Sequence, residues 1–366
     1  MILNNLFKSK SILGIDIGSH SIKIIQLKGL PGKWVLERWS ILPLPEETVA
    51  QEVNPVEKKN AIVKTIKDYI SSQKVSVKNS AISVSGSSVI VRYVKFPRVT
   101  KEYLSKNIQF ESEPYIPFDV REVNLGFYIL GNITEEGQEK TETVLVAAKK
   151  DIVQNRTEIL REAGLIPVVI DVDAFAIESS YEINKDKEEL VLVVNIGANV
   201  SNLSIIENGV SKVVRDIFLG GDTFTKTLQK NLQCDYKTAE ELKRKHELLV
   251  SAEDKERALK EDNKEALQVS NILSGIARDL LGEVHRSIDF FYAQKGEQHA
   301  INRILLCGGS ALLKNIDKYF EQELKIPVEI FNPLAKVEKQ VEVPQECLPI
   351  LSVACGLATR RQDDVK

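Results

Sequence analysis

The same strand–turn–strand pattern occurs twice in this chain. The first copy, residues 13–25, reads LGIDIGSHSIKII, and the second, residues 193–206, reads VVNIGANVSNLSII. In each copy an apolar run carries a polar residue two positions before a glycine, and after a short turn a second strand alternates apolar and polar residues. Because glycine has the backbone freedom that a tight hairpin needs, each copy predicts a β-hairpin.

The segments after the two copies also correspond. Each copy is followed by a third strand, a helix and a further strand. In the first half, Asn54 and Pro55 mark the start of the helix as an N-cap and a first-turn proline. The repeated order predicts a duplicated α/β domain. Its elements are strands 34–41 and 81–84 in the first half, and strand 209–218, helix 224–232 and strand 304–307 in the second.

The length of 366 residues exceeds what one core usually organises, so two domains are expected. Each half also carries an insertion: strands and helices in the first, and an apolar stripe at helical spacing in the second. The predicted division is a first-lobe core (1–85), an inserted subdomain (86–165), a connecting segment of the first lobe (166–188), a second-lobe core (189–237), a helical insertion (238–299), further second-lobe core (300–348) and a return to the first lobe (349–366).

The first hairpin has the residues of a phosphate-binding loop. Backbone N–H groups around Gly18, with Ser19, Ser21 and Lys23 beside them, can cradle phosphate oxygens. Asp16, near the end of the preceding strand, is placed to hold Mg²⁺ through water. An ordinary hairpin with an aspartate capping its turn explains the same residues. The second copy favours the functional interpretation, because two hairpins facing one another across a cleft make a clamp.

Together these features resemble the actin-like ATPase superfamily, which includes actin, sugar kinases and the division protein FtsA. The hairpins resemble its two phosphate loops, and residues 306–311 resemble its adenosine motif. Residues 171–176 and 353–358 resemble its two connecting segments, where helices cross between the lobes. The resemblance spans nearly the whole chain. It implies an α/β, duplicated ribonuclease H-like fold of two lobes, with ATP or ADP and Mg²⁺ in the cleft between them.

The resemblance implies further contacts to the nucleotide. Residues 220–222 begin a helix, and a helix N-terminus suits phosphate or ribose, although a simple helix cap explains them equally. Glu240 and Lys243 fall where the superfamily contacts ribose and base, although a solvated helix face is an equal alternative. The expected nucleotide contacts are Gly18, Ser19, Ser21, Lys23, Gly197, Ala198, Asn199, Gly220, Gly221, Asp222, Glu240, Lys243, Gly308, Gly309 and Ser310.

Asn195 departs from the superfamily pattern, which usually has an aspartate at this position of the second loop. An amide can hydrogen-bond a metal-bound water, but it carries no charge and is a poor base. We therefore expect nucleotide binding, with Asn195 a possible second metal contact beside Asp16, and weak or absent ATP hydrolysis. No catalytic residue is assigned.

Three stretches, at 110–125, 146–150 and 220–225, resemble a family of type IV pilus assembly proteins, the PilM family. This resemblance implies a cytoplasmic protein, peripheral at the inner membrane through its partners. It would recruit the N-terminal cytoplasmic tail of PilN and contact pilus motor ATPases. We expect the tail in a groove between the inserted subdomain and the first lobe. The apolar segment 115–118 either contributes to that groove or packs on its own subdomain.

Two other functions stay open at this point. An FtsA-like filament-forming protein would normally carry a C-terminal amphipathic membrane helix, whereas residues 360–366 are polar and short. A small-molecule kinase would need an aspartate base, for which Asp171 and Asp173 are the nearest candidates. The net charge of -3 argues against nucleic acid as a partner. Self-association is left open, and the four scattered histidines indicate no metal site.

Overall fold

A computed structural model describes residues 11–49, 53–295 and 300–361, whose strands form three sheets. The strands are β1 (Leu13–Ile17), β2 (Ser21–Leu30), β3 (Lys33–Pro43), β4 (Asn79–Val84), β5 (Val89–Pro97), β6 (Val123–Glu135), β7 (Gln138–Lys149), β8 (Ile166–Val172), β9 (Leu190–Ile196), β10 (Ser201–Glu207), β11 (Val210–Ile217), β12 (Arg303–Cys307), β13 (Val328–Ile330) and β14 (Glu338–Lys339). The helices are α1 (Pro55–Ser72), α2 (Lys101–Ser112), α3 (Lys150–Glu162), α4 (Asp173–Glu182), α5 (Gly221–Leu232), α6 (Tyr236–Lys245), α7 (Ala252–Lys260), α8 (Lys264–Lys295), α9 (Ile316–Leu324) and α10 (Ser352–Thr359).

Two of the sheets share the same five-strand topology, to which the first adds the short edge strand β14. The first has the order β14-β3-β2-β1-β4-β8, and the second has the order β11-β10-β9-β12-β13. In both, three antiparallel strands form a meander whose first strand then pairs in parallel with a later strand, β1 with β4 and β9 with β12. The duplicated α/β architecture predicted from the repeated pattern is therefore confirmed.

Alternating side chains explain how each sheet is covered. In β9, Leu192 and Val194 face the core formed with α5, α8 and α9, whereas Val191 and Val193 face α4 and α10. In the first sheet, α1 and α3 cover one face and α10 covers the other. The two helices α4 and α10 therefore lie in a central layer between the two sheets, as expected for the connecting segments.

Glycine permits the close approach of this central layer. A Cβ atom on Gly356 of α10 would lie 1.6 Å from the carbonyl oxygen of Ala176 in α4. A Cβ atom on Gly14 of β1 would lie 2.1 Å from the carbonyl oxygen of Ala354. Both distances are far inside van der Waals contact, so neither position has room for any side chain. The two connecting helices thus cross with their backbones nearly touching.

The third sheet, with the order β5-β7-β6, forms the body of the inserted subdomain. Helix α2 packs Leu104 on one face, and the other face contacts α4 and Val214 of β11. Helix α3 belongs elsewhere, because Ile159 and Leu160 are buried in the core of the first sheet. Across the described ranges, no helix is both long and apolar enough to cross a membrane.

Candidate functional site

Both predicted hairpins form, and the same bond closes each turn. The N–H of Gly18 donates to the carbonyl of Ser21 at 3.1 Å, and the N–H of Gly197 donates to the carbonyl of Val200 at 3.1 Å. A Cβ atom on Gly197 would lie 2.5 Å from that Val200 oxygen, so the turn requires glycine. The remaining turn positions correspond in pairs, Ser19 with Ala198 and His20 with Asn199.

The polar residue that precedes each turn faces a partner on the next strand. Asp16 lies opposite Lys23, whose ammonium nitrogen is 3.3 Å from the aspartate oxygen. The equivalent pair in the second hairpin is Asn195 and Asn202, whose amides bond at 2.8 Å. The second lobe therefore has a neutral amide pair where the first lobe has an ion pair.

The start of α5 packs against the second hairpin. The N–H of Gly221 donates to the carbonyl of Gly197 at 2.9 Å, and the N–H of Asp222 donates to the carbonyl of Ala198 at 2.8 Å. A Cβ atom on Gly220 would lie 2.4 Å from that same Ala198 oxygen. Two amides of the helix N-terminus, which the sequence offered to a phosphate, are therefore already bonded to the second loop.

The turn after β12 reaches the same place. Gly308 has a φ of +85°, and a Cβ atom there would lie 2.5 Å from the side-chain oxygen of Asn195. The hydroxyl of Ser310 donates to the carbonyl of Gly197 at 3.1 Å, while Gly309 is exposed. The structure thus brings the predicted adenosine turn against the second hairpin.

Glu240 and Lys243 form a partly buried cluster beside α5 rather than a solvated helix face. The ammonium of Lys243 lies 2.6 Å from Glu240, and it donates to the hydroxyl of Thr225 at 2.8 Å and to the carbonyl of Gly221 at 3.1 Å. Burial acts to raise the pKa of Glu240, but Lys243, Thr225 and Arg244 outweigh it and hold that pKa below its ordinary value. The cluster buttresses the glycines at the start of α5.

His20 makes a contact between the lobes that the sequence did not reveal. Its Nε2 atom lies 2.6 Å from the carboxylate of Asp222 and 3.4 Å from the hydroxyl of Tyr236. That hydroxyl also donates to Asp222 at 3.0 Å. The first loop is thereby bonded directly to the second lobe. The only sequence signal was the position of His20 inside the first turn.

A second charged group faces Asp16 from the central layer. Asp173, the first residue of α4, is mostly buried and accepts the hydroxyl of Ser85 at 2.6 Å. Burial, with the charge of Asp16, raises the pKa of Asp173 to about 6. Burial lowers the pKa of Arg156 in α3, although the charges of Asp173 and Asp16 act to raise it. The Nε atom of Arg156 has no hydrogen-bond partner among the described residues.

These groups suit some ligands better than others. Within the described part of the chain, no three His, Cys, Asp or Glu side chains are arranged to hold a metal ion by themselves. A cation at Asp16 would therefore need water or a ligand's own oxygens to complete its shell, which is the coordination that Mg²⁺ favours. The turn amides, Lys23 and the unpartnered nitrogen of Arg156 are donors suited to anionic oxygens.

Comparison with known proteins agrees with this geometry. The family described as type IV pilus assembly protein PilM matches residues 14–362. A chain of a solved PilM–PilN type IV pilus biogenesis complex is 25% identical, with 95% of this chain and 97% of that chain covered and a TM-score of 0.78. MreB5 of Spiroplasma citri bound to AMPPNP is 14% identical, with 95% and 94% covered and a TM-score of 0.53. The ethanolamine utilization protein EutJ from Carboxydothermus hydrogenoformans is 13% identical, with 97% and 91% covered and a TM-score of 0.51.

The duplicated sheets, the two glycine hairpins and the crossed central helices define a two-lobed protein with the actin-like ATPase fold. The match over residues 14–362 makes the assignment more specific. This chain belongs to the PilM family of type IV pilus assembly proteins. The resemblance found in the three sequence stretches is thus confirmed, and the FtsA-like and kinase alternatives are not favoured.

Proposed function

We propose that this protein binds ATP or ADP with Mg²⁺ between its lobes and recruits the N-terminal cytoplasmic tail of PilN to the type IV pilus machinery. The observation that carries the nucleotide part is the pair of hairpins closed by the same glycine bond. The partner follows from family membership and from likeness to a PilM–PilN complex. Localisation at the cytoplasmic face of the inner membrane, contact with the motor ATPases and self-association are parts of the same proposal.

The residues present fit a nucleotide with its metal. Lys23 and the first turn would hold phosphate oxygens, and Asp16 would hold Mg²⁺ through water. The Gly308 turn would face the adenosine. Bound Mg²⁺ would supply charge neutralisation of the phosphates. Three other residues that the sequence predicted as nucleotide contacts would act on the structure around the site. Lys243, paired with Glu240, is bonded to the start of α5, and Ser310 is bonded to the second loop.

Isothermal titration calorimetry with ATP, with and without Mg²⁺, tests the nucleotide site. Lys23→Ala should weaken ATP binding by about 1.5–3 kcal/mol, the range for a hydrogen bond to a charged group. Asp16→Ala should remove the dependence of binding on Mg²⁺. Lys28→Ala is the matched control, because Lys28 lies on the same strand with its side chain 67% exposed. No binding at millimolar ATP would refute the nucleotide site.

The peptide surface is proposed on the inserted subdomain. Ile116 is buried against β6 and β7, and the ammonium of Lys149 lies 4.8 Å from the ring centre of Phe118, so segment 115–118 mainly packs on its own subdomain. Among the described strands, β6 pairs only with β7, so its other edge is open, and it carries Tyr128, which is 70% exposed. An extended peptide can add to such an edge through backbone bonds, with side chains giving specificity.

Fluorescence titration of a synthetic PilN tail tests this surface. Tyr128→Ser, and Gly131→Pro to disturb the outer strand, should weaken peptide binding at least tenfold while ATP affinity is unchanged. Phe290→Ser is the control, because Phe290 is also an exposed aromatic residue, at 56%, and lies on α8 of the second lobe. Equal binding by all variants would contradict a site on β6.

The alternative functions have weaker support. Asp171, one of the two candidate kinase bases, is bonded to Arg360 at 2.6 Å. Asp173 lies close enough to Asp16 for that carboxylate to help raise its pKa, so we assign it to the proposed nucleotide site. The polar tail beyond residue 361, which argued against an FtsA-like membrane helix, lies outside the described residues. For domain organisation we propose the division predicted above, with α3 assigned to the first lobe because of its packing.

A further inference from the structure

A chain of hydrogen bonds crosses the three strands of the second meander. The amide nitrogen of Asn195 donates to the side-chain oxygen of Asn202 at 2.8 Å, and the amide nitrogen of Asn202 donates to Asp216 at 2.8 Å. The other oxygen of Asp216 accepts the N–H of Gly86 at 2.6 Å. Gly86 connects β4 to the inserted sheet, so the chain ends at the root of the inserted subdomain.

The three residues that lie opposite one another across each meander form a row, and the two lobes differ in where this row carries its carboxylate. In the first lobe the three strands carry Asp16, Lys23 and Ile41 opposite one another, whereas the second lobe carries Asn195, Asn202 and Asp216. Each row holds one carboxylate. It stands on the first strand in the first lobe and on the third strand in the second lobe.

The direction of every bond in the chain is set by Asp216. A carboxylate only accepts hydrogen bonds, so Asn202 must turn its NH₂ group towards Asp216 and its oxygen towards Asn195. Asn195 must then donate, which leaves its own oxygen on the side of Gly308. An aspartate at position 195 would place two hydrogen-bond acceptors against one another. Asn195 is only 9% exposed, so water could not relieve this contact.

We infer that Asp216 is a positioning residue. Through Asn202 it fixes the side-chain oxygen of Asn195 towards the proposed nucleotide cleft, and it ties the second phosphate loop to the inserted subdomain at Gly86. The residue at position 195 is therefore an amide because the carboxylate of this row stands at position 216. This inference rests on the proposed nucleotide site only for its effect on ligand binding, and not for the bond chain itself.

An exchange of the two residues tests the direction of the chain. Asn195→Asp alone should lower the melting temperature by about 2–6 °C, because two acceptors then face one another. Asp216→Asn alone should lower it less, because the side-chain amides can turn over and keep every bond, with the NH₂ group of Asn195 then directed towards Gly308. In the double variant Asn195→Asp/Asp216→Asn, the two side-chain bonds can form with their directions reversed, the N–H of Gly86 still donates to the side-chain oxygen at position 216, and the net charge is unchanged. The double variant should therefore recover most of the loss. Asp289→Asn, on an exposed face of α8, is the control.

The double-mutant cycle decides the inference without any ligand. Additive losses in the double variant would overturn it, because two positions whose hydrogen bonds do not depend on one another contribute additively. Where wild-type ATP binding is measured, Asp216→Asn should weaken it on the order of tenfold, one hydrogen bond's worth. ATP affinity unchanged by Asp216→Asn would overturn the positioning role. Failure of the wild type to bind ATP would instead refute the proposed nucleotide site, and the melting cycle would still decide the bond chain.

Discussion

Gly356→Ala perturbs the crossing of α4 and α10 without changing any polar side chain. The added Cβ would lie 1.6 Å from the carbonyl oxygen of Ala176 and 2.5 Å from its carbonyl carbon. The obstruction is backbone, so no side-chain rotation relieves it, and the helices must separate by nearly 2 Å to restore an ordinary contact. Overpacking of this kind costs about 1–3 kcal/mol or more, against a gain of roughly 1 kcal/mol from the better helix propensity of alanine.

We therefore expect Gly356→Ala to lower the free energy of unfolding by about 1–2 kcal/mol or more. Gly275→Ala in α8 is the matched control, because a Cβ there meets nothing within 4 Å. That change should stabilise the protein by up to about 1 kcal/mol. Urea unfolding followed by circular dichroism measures both effects as shifts of the midpoint in opposite directions. Equal shifts, or a stabilised Gly356→Ala protein, would refute close contact at the crossing.

Three further expectations concern the cleft. Because burial and Asp16 raise the pKa of Asp173 to about 6 from 3.8, the folded state keeps a proton that the unfolded state has released, and stability should fall as the pH rises between these values. Asp173→Asn should remove up to about 3 kcal/mol of that fall, measured by urea unfolding at pH 4 and pH 6.5. With an amide at Asn195, ATP turnover should lie below the ordinary range of about 1–10³ s⁻¹, and fast turnover that Asp16→Ala abolishes would contradict this. His20→Ala should widen the cleft because the bond to Asp222 is lost, and a radius of gyration equal to that of the wild type in X-ray scattering would argue against it.

The fold could be predicted from the sequence because its strands and turns are determined by residues close together in the chain. Alternation of apolar residues predicts strands, and the repeated polar–apolar–glycine turn predicts two equivalent hairpins. Gly18 and Gly197 could be read as turn residues because their role depends on neighbours only three positions away. The close crossing at Gly356 was implied by the family resemblance, since nothing in its own segment says which backbone it meets.

Side-chain partners across the lobes could not be read in this way. His20 meets Asp222, and Gly86 meets Asp216, across separations of more than a hundred residues. The sequence showed that Asn195 lacks the charge of the usual aspartate. It did not show that Asp216, two strands away in the same sheet, supplies a carboxylate in the same row. Helix α3 was likewise placed with the insertion that precedes it, because only packing shows that it covers the first sheet.

The contacts that join the two lobes differ in what can replace them. At the floor of the cleft, Gly356 lies against the backbone of α4, a steric contact with no polar partner to exchange. At the mouth, His20 meets Asp222, and at the side, Gly86 meets Asp216. Water or a ligand can substitute for either partner of such a bond, so each contributes only about 0.5–3 kcal/mol net. We therefore expect the lobes to part at the mouth before they part at the floor, with the helix crossing as the hinge. Because the inserted sheet is bonded to the second lobe through Asp216, a peptide held on that sheet would resist or favour opening according to how it moves Gly86.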